Sequence, residues 1–236
     1  MMTKRVFVIG LVAIPFAFGS IAAGSALGAE YIYKVNKTVL GAGQEEEEVI
    51  KSKTNQTISS TILGIKLEVV CKNAKLDAAE EPAIKGGIPG TSVRDRFEYS
   101  ECESTIGSEK CKEVTVEGGS LTGEIVTVVL PEVKAGELAT KFSPSGSGNS
   151  FAKIKVGCGA KITVTCSGKI ALLDTPEKTE QSVGALVAKA GTEEITEVRK
   201  SGGGTEKVGL NCDEVRASFV GESELVLVSK HSWGVF

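Results

Sequence analysis

Two stretches of this chain alternate apolar and polar residues with a period of two. In Thr61 to Cys71, Leu63, Ile65, Leu67, Val69 and Cys71 share one face, with Lys66 and Glu68 on the other. In Ile162 to Leu172, Ile162, Val164, Cys166, Gly168, Ile170 and Leu172 point one way, and Lys161, Thr163, Thr165, Ser167 and Lys169 the other. That period is the signature of a half-buried strand, because successive side chains of a strand leave on opposite faces. Shorter runs repeat it: Val93/Asp95/Phe97/Tyr99, Ile154/Val156/Cys158, Val208/Leu210/Cys212 and Val215/Ala217/Phe219. Ile125 to Leu130 and Leu225 to Val228 are continuously apolar, as suits strands covered on both sides. Tyr31 to Leu40 reads as a first strand.

Gly86-Gly87, Pro89-Gly90, Gly118-Gly119, Gly157-Cys158-Gly159 and Gly202-Gly203-Gly204 punctuate these runs as turn signals. Only Lys178 to Lys189 tempts a helix, through Val183, Leu186 and Val187, and its Gly184 argues as well for strand or loop. Short strands at roughly ten-residue spacing with Gly-rich turns predict an all-β fold. The expected architecture is a disulfide-stabilised antiparallel β-sandwich or partly closed barrel of about ten strands. Gln44 to Thr57, opened by Glu45-Glu46-Glu47-Glu48, is expected to be a solvated loop, since like charges in a row resist burial. Four consecutive Glu do not supply the alternating oxygens and turning Gly of a calcium loop.

The six cysteines are the most specific side chains in the sequence. Cys71, Cys158, Cys166 and Cys212 fall in phase with apolar faces, so their sulfurs are expected in the core. Cys102 and Cys111 enclose the polar turn ESTIGSEK. The simplest of the possible pairings is Cys102–Cys111, Cys71–Cys158 and Cys166–Cys212. A zinc site is disfavoured, because the close spacings are C-x8-C and C-x7-C and the sole histidine is His231. No C-x-x-C redox motif is present.

The start of the chain agrees with disulfides. Lys4 and Arg5 precede an uncharged stretch from Val6 to Ala23, and small residues follow to Ala29. This is the order of a secretory signal peptide, expected to span residues 1–28 and to leave one β-sandwich-like domain over 29–236. Pro15, Gly19 and Gly24 favour cleavage over the alternative, an uncleaved N-terminal membrane anchor. Export would place every cysteine in an oxidising compartment. The expected location is therefore secreted, extracellular or cell envelope, with no membrane span after cleavage.

Charge and composition restrict the chemistry. Without Lys4 and Arg5, 25 basic residues face 30 acidic ones, a net charge of −5. That sign argues against nucleic acid as a partner. A single His removes Ser-His-Asp and Cys-His mechanisms from serious contention. Ser201-Gly202-Gly203-Gly204-Thr205-Glu206-Lys207 lacks the spacing of a phosphate loop. No catalytic, cofactor-binding or metal residue is nominated, and no cofactor is expected.

The pattern as a whole resembles a set of secreted β-rich proteins from soil actinobacteria of the Solirubrobacter type. The resemblance is carried by Phe97-Glu98-Tyr99-Ser100-Glu101-Cys102, Cys111, Gly123 to Leu130, and Cys158 followed by Val164-Thr165-Cys166-Ser167-Gly168-Lys169-Ile170. It covers Ile62 to Ile170, and Cys166 and Cys212 are additions to the pattern. It implies secretion and a β-sandwich-like fold, and no activity. The expected function is a non-enzymatic binding or envelope-structural role, with a cell-envelope component or a protein as partner. The alternative is a secreted polysaccharide hydrolase acting through paired Glu carboxylates.

Overall fold

The computed structural model describes residues 31–111, 113–145, 150–175 and 177–236. The signal-peptide reading and its membrane-anchor alternative fall on residues outside this set. The described strands are β1 (Tyr33–Val35), β2 (Thr38–Val39), β3 (Glu45–Ser52), β4 (Gln56–Ile62), β5 (Ile65–Leu76), β6 (Ala83–Lys85), β7 (Thr91–Ile106), β8 (Glu109–Cys111) and β9 (Glu113–Leu130). They continue with β10 (Leu138–Pro144), β11 (Ser150–Cys158), β12 (Ala160–Thr175), β13 (Gly184–Ala188), β14 (Glu197–Arg199), β15 (Thr205–Lys207), β16 (Gly209–Cys212), β17 (Val215–Leu227) and β18 (Trp233–Val235). All described pairings are antiparallel.

The pairing closes on itself twice. Four long strands, β7, β9, β12 and β17, act as staves, and shorter strands fill the gaps between them end to end. One circuit runs β7–β9–β11–β12–β16–β17–β4–β5 and back to β7. The other runs β7–β9–β10–β12–β13–β17–β3–β6 and back. The expected sandwich or partly closed barrel is thus realised as two stacked rings sharing their staves. Closure removes the unpaired edges that an open sheet would present.

The residues in phase along the strands line the common interior. Leu67, Val69 and Cys71 of β5, and Val164, Cys166, Ile170 and Leu172 of β12, are buried as their alternation requires. Phe97–Phe142 and Phe151–Phe219 meet edge-on inside, with ring centroids 6.1 and 5.9 Å apart. The alternation stops where hairpins turn. Leu63, with φ of 50°, and Gly64, with φ of 80°, form the β4–β5 turn, so Leu63 is 96% exposed although it is in phase with the core.

A second, smaller apolar cluster lies outside the ring. The β14–β15 hairpin folds against β9, and Val198, Ile195 and Val208 pack with Val126, Val128, Ala139 and Leu173. This explains the continuous apolar run in β9: Ile125 faces in, while Val126 and Val128 face out under the hairpin. Leu225 to Val228 is different, for Leu225 and Leu227 are buried but Val228 is exposed. Lys141, only 4% exposed beside this cluster, bridges Glu124 at 2.7 Å and Glu206 at 2.9 Å. Lys169 also pairs with Glu206.

The first and last described strands meet in a separate three-stranded sheet, β18–β1–β2, with Tyr33 opposite Val235 and Val35 opposite Trp233. Tyr33, Trp233, Val35 and Val235 belong to the same apolar cluster as the ring interior. The small sheet therefore acts as a cap. Gly90 lies so close beneath it that a Cβ there would stand 2.7 Å from the Tyr33 ring.

Two local expectations are corrected, and one open alternative is decided. The expected loop at 44–57 contains β3, because its glutamates alternate between faces instead of crowding one. Glu45 meets Arg94 at 2.8 Å and Lys85 at 3.4 Å on the outside, while Glu48 turns inward in phase with Ile50. Of the alternatives left open for Lys178 to Lys189, the strand is found: Gly184 to Ala188 form β13. Gly118-Gly119 is no turn but lies inside β9, where a Cβ on Gly118 would stand 2.1 Å from Phe97 O and one on Gly119 1.9 Å from Ser150 O. Glycine in a strand interior marks such a close backbone approach.

Candidate functional site: a sealed carboxyl cluster

All six cysteines form disulfides, but two of the three expected pairings are wrong. The bridges are Cys71–Cys102, Cys111–Cys158 and Cys166–Cys212, with Cα separations of 4.0, 4.8 and 4.0 Å. Cys166 and Cys212 sit directly opposite each other on β12 and β16, as the register of Ile162 to Leu172 predicts. The Cys102–Cys111 pairing fails because the β7–β8 hairpin sets Cys111 opposite Ser104, while Cys102 lies opposite Cys71 on β5. Cys158 is thereby left to Cys111, at the end of the β11–β12 hairpin. The three closed loops follow one another along the chain and do not overlap.

The other unusual chemistry lies in the interior of the ring that carries the cap. Glu48, Asp95 and Asp174 are 2%, 0% and 4% exposed. Each stands in phase with an inward apolar neighbour: Glu48 with Ile50, Asp95 with Phe97, Asp174 with Leu172. A register shift in β7 between Ser92 and Asp95, with Arg94 at a φ of 61°, turns both flanking side chains inward. The Ser92 hydroxyl then donates to Asp95 Oδ2. Thr140 of β10 donates to Asp174, 3.0 and 3.1 Å from its two carboxylate oxygens. Tyr33 of the cap completes the group, electrostatically coupled to all three carboxyls and within hydrogen-bonding reach of Thr140. Gly123 of β9 makes the room: a Cβ there would stand 2.3 Å from Ser92 Oγ and 2.9 Å from Thr140 Cγ2.

Among the described residues, no ammonium or guanidinium enters this cluster to balance it. Burial pushes the Glu48 carboxyl far above the usual range, reinforced by the negative charge of Asp95 and Asp174. Burial also raises Asp95 to about 7, against the opposing pull of its Ser92 hydrogen bond and of Arg94. Asp174 is likewise raised by burial to about 7, with Thr140 opposing. Neither oxygen of Glu48 finds a conventional donor, nor does Asp95 Oδ1. A Glu48 carboxyl held neutral by burial carries no charge for those missing donors to offset. The Tyr33 phenol is held neutral first by burial and then by the same three acids.

Chemically, such a cluster can hold or release protons. Among the described residues no group of three or more His, Cys, Asp and Glu is disposed to hold a metal ion. The acids are perturbed as catalytic acids often are, yet they are walled in by strands on every side and by the cap above. A surface hollow of about 590 Å³ opens elsewhere, beside the β7–β8 hairpin, lined by Glu68, Val70, Glu103, Thr105 and Lys110 near the Cys71–Cys102 and Cys111–Cys158 bridges. The sequence pattern nominates none of the three acids as a site residue. The signal that could find them is a carboxylate in phase with a core face.

Compared with protein-family models, with curated proteins and with solved structures, the chain matches none of them. Fold and disulfides define its class: an antiparallel all-β protein closed into a double ring and stapled by three disulfides. Among the described residues no helix is long and apolar enough to cross a membrane.

Proposed function

We propose that the protein is a secreted or cell-surface module with a non-enzymatic binding or envelope-structural role. The observation that carries this reading is where the unusual chemistry lies. The perturbed carboxyls are sealed inside the ring, and the outer faces carry solvated ion pairs such as Lys53–Glu222 and Lys75–Glu98. Substrate reaching Glu48, Asp95 or Asp174 would have to pass a strand or the cap. Three disulfides suit an oxidising compartment, where such bonds persist. The hollow beside β7–β8 offers mixed charge from Glu68, Glu103 and Lys110 with an apolar contact at Val70, next to Cys102 and Cys111 of two bridges.

The test is a direct comparison of binding and turnover. Mature protein is incubated with purified cell walls and with a panel of polysaccharides. Retention on cell-wall material without release of reducing sugar is the expected result. Sugar release that Asp95→Asn or Glu48→Gln abolishes would establish the hydrolase reading instead.

A further inference from the structure

We propose that the three-stranded sheet β18–β1–β2 is a proton-gated cap over the acid cluster, seated while the cluster holds its protons and loosened when they leave. The joint is slender. The cap is tied to the ring by the Gly90 amide to Tyr31 O at 2.8 Å, Lys178 N to Val235 O at 2.9 Å, and the reciprocal Gln181–Trp233 pair at 2.9 Å each way. Thr127 adds a side-chain bond to the Tyr31 hydroxyl. Glu180 adds two more, accepting from the Lys37 amide at 2.8 Å and the Ser232 hydroxyl at 2.9 Å, and apolar packing of Tyr33, Trp233 and Val235 completes the joint. Tyr33 is the piece of the cap that shares the acid cluster's field.

The charges around the cluster leave little relief once it ionises. Facing it are Tyr33 from β1, Glu48 from β3, Ser92 and Asp95 from β7, Thr140 from β10 and Asp174 from β12. The residues paired directly with these, among the described residues, carry no charge: Ile84 and Gly123 opposite Ser92, Leu121 opposite Asp95, Ile125 opposite Thr140, Leu186 opposite Asp174 and Leu227 opposite Glu48. The nearest cation, Arg94, is engaged with Glu45 and with the Glu81 carbonyl. Glu177, beyond β12, adds negative charge and accepts from the Leu138 amide. Glu46, two residues before Glu48 in β3, is met by His231 at 3.7 Å and by Ser229.

The sign of the coupling follows from these neighbours. Asp95 and Asp174 bind protons in the seated state up to about 7 and release them near the ordinary carboxyl range when hydrated. Raising the pH through that window therefore favours any state that admits water. The cap-opening constant is expected to rise about tenfold per pH unit for each carboxyl that opening hydrates, between roughly pH 4 and 7. Opening the cap hydrates the cluster without breaking either ring of strands.

The chain carries its own probe. Trp233 is the single tryptophan and sits in β18, edge-on to Tyr33 with ring centroids 6.4 Å apart. Acrylamide quenching of its fluorescence reports cap opening, and far-UV circular dichroism reports the rings. Between about pH 5 and pH 8.5 the quenching constant should rise severalfold while the circular dichroism holds. The Asp95→Asn/Asp174→Asn double variant should keep the low value throughout. Asp174→Asn alone, which leaves Thr140 an acceptor, should show a reduced rise and serves if the double variant does not fold. Quenching that stays flat with pH in the wild type overturns the proposal. So does a rise that persists unchanged in a folded variant, or one that appears only together with loss of the β-sheet signal.

Discussion

Removing the Cys166–Cys212 bridge is the sharpest perturbation of stability that the structure offers. Both sulfurs are sealed in the core, on strands that face each other in direct register. The bridge closes a loop with a sequence separation of 46. In the chain-entropy model, a loop of that length gives about 4 kcal/mol at 25 °C. Cys166→Ala or Cys212→Ala also leaves a lone thiol and a small void in a packed interior, which adds to the loss. Each single variant should therefore lose about 3–5 kcal/mol. The double variant should fall within about 1 kcal/mol of either, because the first substitution already removes the interaction. Guanidinium denaturation without reductant measures all three. Near-additive losses, or a loss below about 1 kcal/mol, would refute both the partnership and the assumption that the loop is unconstrained in the unfolded chain. Because the loops do not overlap, removing Cys71–Cys102 as well should subtract a further, independent 3–4 kcal/mol or so.

Other outcomes follow from the same geometry. The denatured, unreduced protein should present no reactive thiol to a thiol reagent, since all six cysteines are paired. Gly119→Ala should destabilise by more than about 1–3 kcal/mol, because its Cβ would meet the Ser150 carbonyl, a backbone atom that cannot swing aside; a shift in thermal midpoint measures it. Lys141→Ala takes the buried ammonium from Glu124 and leaves Glu206 to Lys169 and Lys200, and should cost about 2–3 kcal/mol near neutral pH. The folded-state value of Glu206 is lowered to about 2, its two lysines outweighing burial, so its contribution is present above the ordinary carboxylate range and is lost as pH falls through 2. Asp95 and Asp174 act in the opposite sense, their contribution being full below about pH 4 and lost as pH rises through about 7. Wild-type stability should accordingly peak at mildly acidic pH, and a urea titration series that finds its maximum above neutrality would contradict the assignment.

Much of the fold is legible in the sequence, and where it is not the reason is physical. Alternation around Leu67 to Cys71 and Val164 to Leu172 predicts both strands and the face on which Cys166 meets Cys212. Alternation cannot say which strand lies alongside, so it gives no hint that Cys102 lies opposite Cys71. A Cys102–Cys111 pairing follows proximity in sequence, whereas the actual bridges follow hairpin register. The glutamate run misleads for a related reason. Composition describes Glu45 to Glu48 as one charged block, but a strand divides it between a face with Arg94 and Lys85 and a face that carries Glu48 into the core. Asp95 stands in an alternating run with Phe97 and Tyr99, so its burial is readable there. What no local pattern announces is that three acids from distant strands converge under Tyr33, because ring closure alone brings β3, β7 and β12 around one space.

The order of the bridges also bears on how the chain comes to be made. First cysteine pairs with second, third with fourth, fifth with sixth. A polypeptide emerging from its N-terminus can thus oxidise each pair as soon as the later partner appears, with no reshuffling of an earlier bond. Ring closure has the reverse timing. Both circuits need β17, and the cap needs β18, the last described strand. The stapled segments must therefore wait, with their edges open, for β17 and β18 to arrive. Trapping free thiols on nascent chains of increasing length would reveal the sequence of events: bridges in chain order, then a single late step that buries Trp233.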